Sequence, residues 1–386
     1  MRFGILGCGY VSDSYLLTLQ NHPSISLVGC YDLNPIRSEK FACFAGIRNF
    51  RSLSEMLEES SLEAVINLTN PRSHFETTQA CLEAGKHVYS EKPLGMTLAE
   101  AQDLAAMANR KGVLLATAPC SALSPSAQTL GHAIKEGVIG KVRLVYANFD
   151  DGMIAPYMEP WRWTNSLGVP WPAKDEFEVG CTFEHAGYFL SWLCLLFGSA
   201  RKVTSFAGSL IPEKGIPVEG MAPDFTSGVI EYESGVTARV TCGLVAPLDK
   251  SMTVVGDEGI LFVRNLRDDL GEVWHIPRDL RGNSARIRNM LEKIRATLGV
   301  VLPKEMLEWL NYDGRRRMPL IEKGSPVPGN PEHKRADFLR GPAELAAAVA
   351  EKRSCRLSAE LGIHMVEIIN ALQYPASSGQ LITTRL

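Results

Sequence analysis

At 386 residues the chain is too long for one ordinary hydrophobic core, and two domains are expected. Its 45% hydrophobic and 22% charged residues describe a folded globular protein and exclude a disordered one. The formal net charge of −3 excludes a globally basic surface made for nucleic acid or an anionic membrane.

In chain order, the apolar run Phe3–Leu6 feeds Gly7-Cys8-Gly9-Tyr10-Val11-Ser12. A strand, a glycine turn and a helix in that order form a seat for a dinucleotide pyrophosphate. Gly7 permits the turn, Gly9 removes a side chain where backbone approaches phosphate, and Tyr10 and Val11 carry the following N–H groups. Ser12 stands where a third Gly or Ala is usual. A second apolar run, Ile25–Tyr31, ends in Asp32, placed to accept ribose hydroxyls and repel a 2′-phosphate, although nearby Arg37 would suit that phosphate. NAD is therefore expected over NADP.

Strands are expected at Arg2–Leu6, Ser26–Tyr31, Ala64–Leu68, His87–Ser90 and Val113–Thr117. Helical patterns separate them at Tyr10–Gln20, Pro35–Cys43, Leu53–Glu58, His74–Ala84 and Leu98–Arg110. That alternation predicts an α/β Rossmann domain, a doubly wound parallel sheet, over residues 1–120. Its ligands bind beyond the carboxyl ends of the strands. Asn70-Pro71 with His74 follows the third strand there and borders the cofactor. Glu91-Lys92-Pro93 follows the fourth, and the proline restrains the turn that presents the Lys92 amine.

From about Gly140 the texture changes to strands at Lys141–Phe149, Lys202–Ser209, Thr226–Tyr232, Thr237–Leu244, Ser251–Val255 and Ile260–Val263. A hairpin signal at Glu233-Ser234-Gly235 joins two of them. A C-terminal α+β domain over residues 121–386 is expected, with an open, mostly antiparallel sheet. Ala186–Gly198, the longest apolar stretch, is too short to span a bilayer and reads as a buried helix opening at Glu184-His185-Ala186-Gly187-Tyr188. Before it, Trp161-Arg162-Trp163 and Trp171 suit a sugar ring and a phosphate, or serve only to wedge two domains together. Residues 278–317 read as a basic helical insertion. It is a solvated face, a diphosphate clamp, an oligomer contact or a membrane contact. Ser358–Leu372 is an amphipathic helix.

Nine cysteines contain no CxxC pair, and most sit among apolar neighbours, so a reduced cytoplasmic setting is expected. A strand at Phe3 leaves no room for a signal peptide. No HExxH or paired-histidine pattern calls for a metal.

The glycine turn with Asp32, Asn70 to His74, Glu91-Lys92-Pro93 and the helix opening at Glu184 together resemble the Gfo/Idh/MocA oxidoreductases, the glucose–fructose oxidoreductase and inositol dehydrogenase family. The resemblance covers nearly the whole chain, and Glu-Lys-Pro is its most specific part. It implies a nicotinamide cofactor on Gly7, Gly9, Tyr10, Val11, Asp32, Asn70, His74, Glu91 and Lys92. It also implies Lys92 as a catalytic group, and a sugar, polyol or sugar-nucleotide substrate against the second sheet. Tyr188 stands where a histidine is common in the family, and Ser191 where an aspartate often follows. Tyr188 is taken as a second catalytic group, and Trp161, Arg162, Glu184 and His185 as substrate contacts. Burial and cationic neighbours are expected to bring the Lys92 amine towards neutrality. The expected partner is the small substrate alone, with no nucleic acid and no transmembrane segment. A homodimer or homotetramer through the open sheet is also expected. A non-catalytic dinucleotide-binding sensor and an enzyme of NAD-assisted glycoside cleavage stay open as alternatives.

Overall fold

The computed structural model describes residues 1–278, 290, 293, 315–321 and 336–386. The first sheet carries β1 (Arg2–Leu6), β2 (Ser26–Tyr31), β3 (Arg48–Asn49), β4 (Ala64–Asn67), β5 (His87–Ser90) and β6 (Leu115–Thr117). They are ordered β3-β2-β1-β4-β5-β6, every pair parallel. Parallel strands covered on both faces lose all contact with water, and Phe3, Ile5, Val65, Ile66 and Val88 are fully buried. The chain doubles back between β1 and β4, so the crevice beyond those two strands is the topological switch point where such sheets bind ligands.

The helices begin and end on identifiable signals. Helix α1 (Ser12–Leu16) is shorter than the expected Tyr10–Gln20. Thr18 interrupts it by turning inward to accept from the Leu339 N–H at 3.5 Å, and a 3-10 turn over Leu19–Asn21 follows. Helix α2 (Pro35–Ala45) starts on the Asn34 side chain with proline in its first turn and stops at Gly46. Helices α3 (Leu53–Glu58) and α4 (His74–Glu83) cover the same sheet, and α5 (Leu98–Lys111) opens on a Thr97/Glu100 capping box.

The chain then crosses through α6 (Pro125–Lys135) into β7 (Val142–Asp150). Helices α7 (Ala173–Val179) and α8 (Cys181–Phe197) follow, and α8 is buried along most of its length. After them come β8 (Ala200–Gly208), β9 (Phe225–Tyr232), β10 (Thr237–Gly243), β11 (Met252–Gly256), β12 (Gly259–Val263), β13 (Val273–Pro277) and β14 (Arg316–Met318). Helices α9 (Arg340–Glu351) and α10 (Ala359–Gln373) and the short β15 (Gln380–Leu381) end the chain. The second sheet runs β14-β13-β12-β11-β7-β10-β9-β8-β15. All its pairs are antiparallel except β7 with β10. It is mixed and mostly antiparallel, as the texture of the sequence indicates.

Alternation along these strands separates a packed face from an open one. Val145, Ala147 and Phe149 of β7 are buried, whereas Tyr146 between them is 39% exposed, and Val229 and Phe206 join it at 40% and 57%. The tail returns to the first domain. The Thr117 N–H donates to the Leu357 carbonyl at 2.9 Å, and α10 packs between α5 and α8.

Most of the expected basic insertion (279–289, 291–292 and 294–314) lies outside the described residues. Its last residues are not helical: Arg316 and Arg317 lie in β14, paired with β13 at the sheet edge, and Arg317 meets Glu272 at 3.2 Å. All nine cysteines are free, and only Cys43 is exposed. Among the described residues no helix is long and apolar enough to cross a membrane.

Candidate active site

The switch-point crevice opens into a cleft of about 510 Å³ between the two domains. Gly7 sits at φ +93°, and a Cβ there would stand 2.8 Å from the backbone of Leu68, so only glycine fits where β1 turns beneath the loop after β4. A Cβ on Gly9 would meet nothing within 4 Å, which leaves the backbone bare to the cleft. Asp32 closes this end. Its Oδ2 accepts from the Cys8 N–H at 2.7 Å and its Oδ1 from the Asn34 N–H at 2.7 Å, locking the glycine turn to the end of β2. Tyr10, Val11 and Arg37 border the same space. A bare, rigid glycine turn with a carboxylate at its rim fits a dinucleotide. Gly7, Gly9, Tyr10, Val11 and Asp32 would hold it.

Two loops border the cleft's centre, and His74 braces them. This buried ring spans the Pro93 carbonyl (2.7 Å from Nδ1) and the Thr69 carbonyl (2.8 Å from Nε2). Each nitrogen faces one carbonyl, and the one that carries the proton donates to it. Burial lowers its pKa despite those carbonyls, so His74 is a prop for the Glu91-Lys92-Pro93 turn. Glu91 has a similar duty: its carboxylate accepts from the Tyr15 hydroxyl at 2.6 Å and from the Lys92 N–H at 3.1 Å. Asn70 donates to Asp175 of α7 at 2.5 Å and ties the domains together.

Lys92 reaches across to α8. Its Nζ donates to Glu184 Oε2 at 2.6 Å, with side chains 14% and 8% exposed. Gly187 faces the lysine stem, and a Cβ there would lie 3.9 Å from that of Lys92. Burial alone would lower the pKa of the Lys92 amine. The Glu184 carboxylate outweighs it, with Tyr188, Glu176 and Glu91 behind, and holds the amine above its ordinary value. This corrects the expected drift towards neutrality: the glutamate on α8 reverses the sign.

Tyr188 lies one helical turn beyond Glu184, on the same face. Its ring stacks on Phe149 of β7 at 4.4 Å and 6° between planes, and the Lys92 Nζ stands 5.9 Å from the ring centre. Burial raises its phenol above the usual range, against the pull of Arg267 and Lys92. His185 lies 3.2 Å from Asp151, which also pairs with Lys250. Burial depresses His185 to about 4, so the ring is neutral at pH 7, and its Nδ1 is buried without a partner.

Trp161 and Arg162 stay away from this cleft. The Trp161 ring packs on Gly215, 2.4 Å from where a Cβ would stand, and Arg162, with 72% of its side chain exposed, pairs with Glu159 at 3.0 Å. The aromatic wall is instead made by Trp163 and Trp171, 5.6 Å apart. Charged lining residues that were not foreseen include Asp151, Asp175, Glu176 and Arg267, with Lys250 behind them on Asp151. Burial beside Glu184 raises the Glu176 carboxyl well above the ordinary range, and its Oε2 has no partner. Only the turn-like Asp150-Asp151-Gly152 left a mark in the sequence.

Comparison with known proteins identifies the family and the fold. Residues 1–118 match the model of the oxidoreductase family with an NAD-binding Rossmann fold, and residues 127–262 that of the GFO/IDH/MocA C-terminal domain. The mouse (Mus musculus) trans-1,2-dihydrobenzene-1,2-diol dehydrogenase is 27% identical over 272 residues, 69% of this chain and 75% of the relative. Levoglucosan dehydrogenase, solved with NADH and levoglucosan, superposes with a TM-score of 0.75 at 18% identity and full coverage of both chains. The WlbA dehydrogenase of Bordetella pertussis, solved with NADH and UDP-GlcNAcA, gives a TM-score of 0.69 at 18% identity, covering 100% of this chain and 97% of that one. The chain is an oxidoreductase with an NAD-binding Rossmann domain and belongs to the Gfo/Idh/MocA family.

Proposed function

We propose that this enzyme interconverts a secondary alcohol and a ketone on a sugar, polyol or sugar-nucleotide substrate held between Lys92 and Tyr188. The observation that carries the reading is the meeting of these two side chains across the interdomain cleft. One comes from the carboxyl edge of the first sheet and the other from α8, with the lysine 5.9 Å from the tyrosine ring. Bound NAD supplies a hydride acceptor or donor there. Lys92, protonated against Glu184, gives its proton to the oxygen of a carbonyl being reduced; in the reverse direction the same amine, in its neutral form, takes the hydroxyl proton as the hydride leaves the carbinol carbon. Tyr188, fixed by Phe149, orients the same oxygen. Trp163 and Trp171 offer a face for a sugar ring and keep water out. The names of the relatives, a diol dehydrogenase and a levoglucosan dehydrogenase, favour a carbinol substrate. A screen of sugars, polyols and sugar nucleotides, followed by absorbance of the reduced cofactor, tests it. Reduction of NAD by at least one member supports the reading, and bound NAD that no member reduces contradicts it.

The rim supports NAD over NADP. Both Asp32 oxygens are pinned, so the carboxylate cannot swing away from a 2′-phosphate. Calorimetric titration should give NADH at least about tenfold tighter binding than NADPH, ~1.4 kcal/mol. Tighter NADPH would show that Arg37 governs the rim instead.

The open face of the second sheet is the expected self-association surface, because Tyr146, Val229 and Phe206 leave apolar area uncovered. Sedimentation should find a dimer or tetramer that Tyr146→Lys with Val229→Lys converts to a folded monomer. A double variant that sediments like the unaltered protein would clear this face of the role.

A further inference from the structure

At the reacting end of the cleft the cations are matched to carboxylates, with one exception. Lys92 pairs with Glu184 and Lys250 with Asp151, which the neutral His185 ring also meets. Arg267, in the turn after β12, has no carboxylate within 4.0 Å among the described residues. Its guanidinium carbon stands 5.2 Å from the centre of the Tyr188 ring, the ring that Lys92 also borders. Phe149 is stacked on that ring, so the two cations edge one fixed plate. Neighbouring acids are engaged: Glu91 by Tyr15 and the Lys92 N–H, Asp151 by its two partners. A shielded guanidinium with no carboxylate in contact, its charge balanced only by the more distant Asp151 and Glu91, favours an incoming oxyanion, and its planar fork matches one bidentately.

Building on the hydride-transfer reading above, we propose that Arg267 seats a carboxylate of the substrate, so that the preferred substrates are sugar acids or related hydroxy acids. The position specifies more than charge. Because Arg267 and Lys92 border the same ring, the carboxylate lies only a few bonds from the carbon whose oxygen meets Lys92. A phosphate offers the same oxyanion chemistry, from a nucleotide diphosphate or from the cofactor, and the test separates these sources.

With the enzyme saturated with NADH, titration calorimetry compares D-glucuronate with D-glucose and D-gluconate with D-glucitol. UDP and inorganic pyrophosphate are the phosphate probes. Each acid should bind about 10- to 100-fold more tightly than its neutral counterpart, the range for a charge-assisted pair. Arg267→Gln should erase that preference while leaving the affinity for the neutral compounds and for NADH in place. Arg267→Lys should keep part of it. Three results overturn the proposal: no preference for acids in the unaltered enzyme, UDP or pyrophosphate as the only anions bound through Arg267, or an Arg267→Gln variant that loses NADH and keeps its preference for acids. The first of these is read on the unaltered enzyme and needs no variant to fold. Acid binding through Arg267 with no hydride transfer would sink the catalytic reading and leave the seat. Transfer from neutral sugars without preference for acids would do the reverse.

Discussion

Lys92→Ala binds NADH almost as well as the unaltered enzyme and turns over about 10²- to 10⁴-fold more slowly, the span for a lost general acid or base. The loss is this large because no other cationic side chain there can hand over a proton: Arg267 borders the same ring but holds its proton too firmly. His185 is neutral at pH 7, and Lys250 is turned to Asp151. Single-turnover kinetics with a substrate from the screen measures it. Tyr188→Phe keeps the stacking on Phe149 and loses only the hydroxyl, so its loss should be smaller. Tyr188→His restores the commoner family residue and should retain more activity than Tyr188→Phe. A Lys92→Ala variant as fast as the unaltered enzyme would remove the lysine from the chemistry.

Glu184→Gln should be nearly as damaging, and its pH dependence identifies why. In the unaltered protein burial works against the Lys92 charge and Glu184 overrides it, so the amine stays protonated well beyond neutral pH. Without the carboxylate, burial is opposed only by the weaker pull of Tyr188, Glu176 and Glu91, and the amine gives up its proton at lower pH than in the unaltered enzyme. A reduction that requires the ammonium must then fail at lower pH, and the alkaline limb of its rate profile moves to the acid side. Stability follows the same sign. At pH 7 the variant buries an uncompensated charge, costing about 3–5 kcal/mol. The cost shrinks as pH rises and the amine becomes neutral, so the gap in Tm between variant and unaltered protein narrows from pH 7 to 10. A gap that widens with pH, or an unmoved alkaline limb, would mean that Glu184 does not set the lysine's charge.

The first domain was legible because its signals are local. The glycine turn, Asp32 at the end of β2 and Pro35 in the first turn of α2 each act within a few residues of themselves. The second sheet's texture was legible for the same reason, whereas its edge strands β13, β14 and β15 were missed, being short or separated from their partners along the chain. The site divides similarly. Gly7, Lys92, Glu184 and Tyr188 stand on motifs. Arg267, Asp175 and Glu176 reach the cleft only because distant elements pack there, and no spacing in the sequence announces that. The expected Lys92 titration had the wrong sign because Glu184 was taken as a substrate contact and not as the lysine's partner. Trp161 and Arg162 were named for composition, but direction decided the matter. The chain turns at Pro160–Arg162, sending one indole to Gly215 while Trp163 and Trp171 face the cleft.

Transfer of deuterium tests the central claim most directly. A polyol or sugar that the enzyme oxidises is prepared with deuterium on the reacting carbon, and the NADH formed is examined by mass spectrometry and proton NMR. The expected result is deuterium at C4 of the nicotinamide, on one face only, with the transfer all but lost in Lys92→Ala. Unlabelled NADH, or label delivered equally by Lys92→Ala, would contradict direct hydride transfer at the Lys92–Tyr188 cleft.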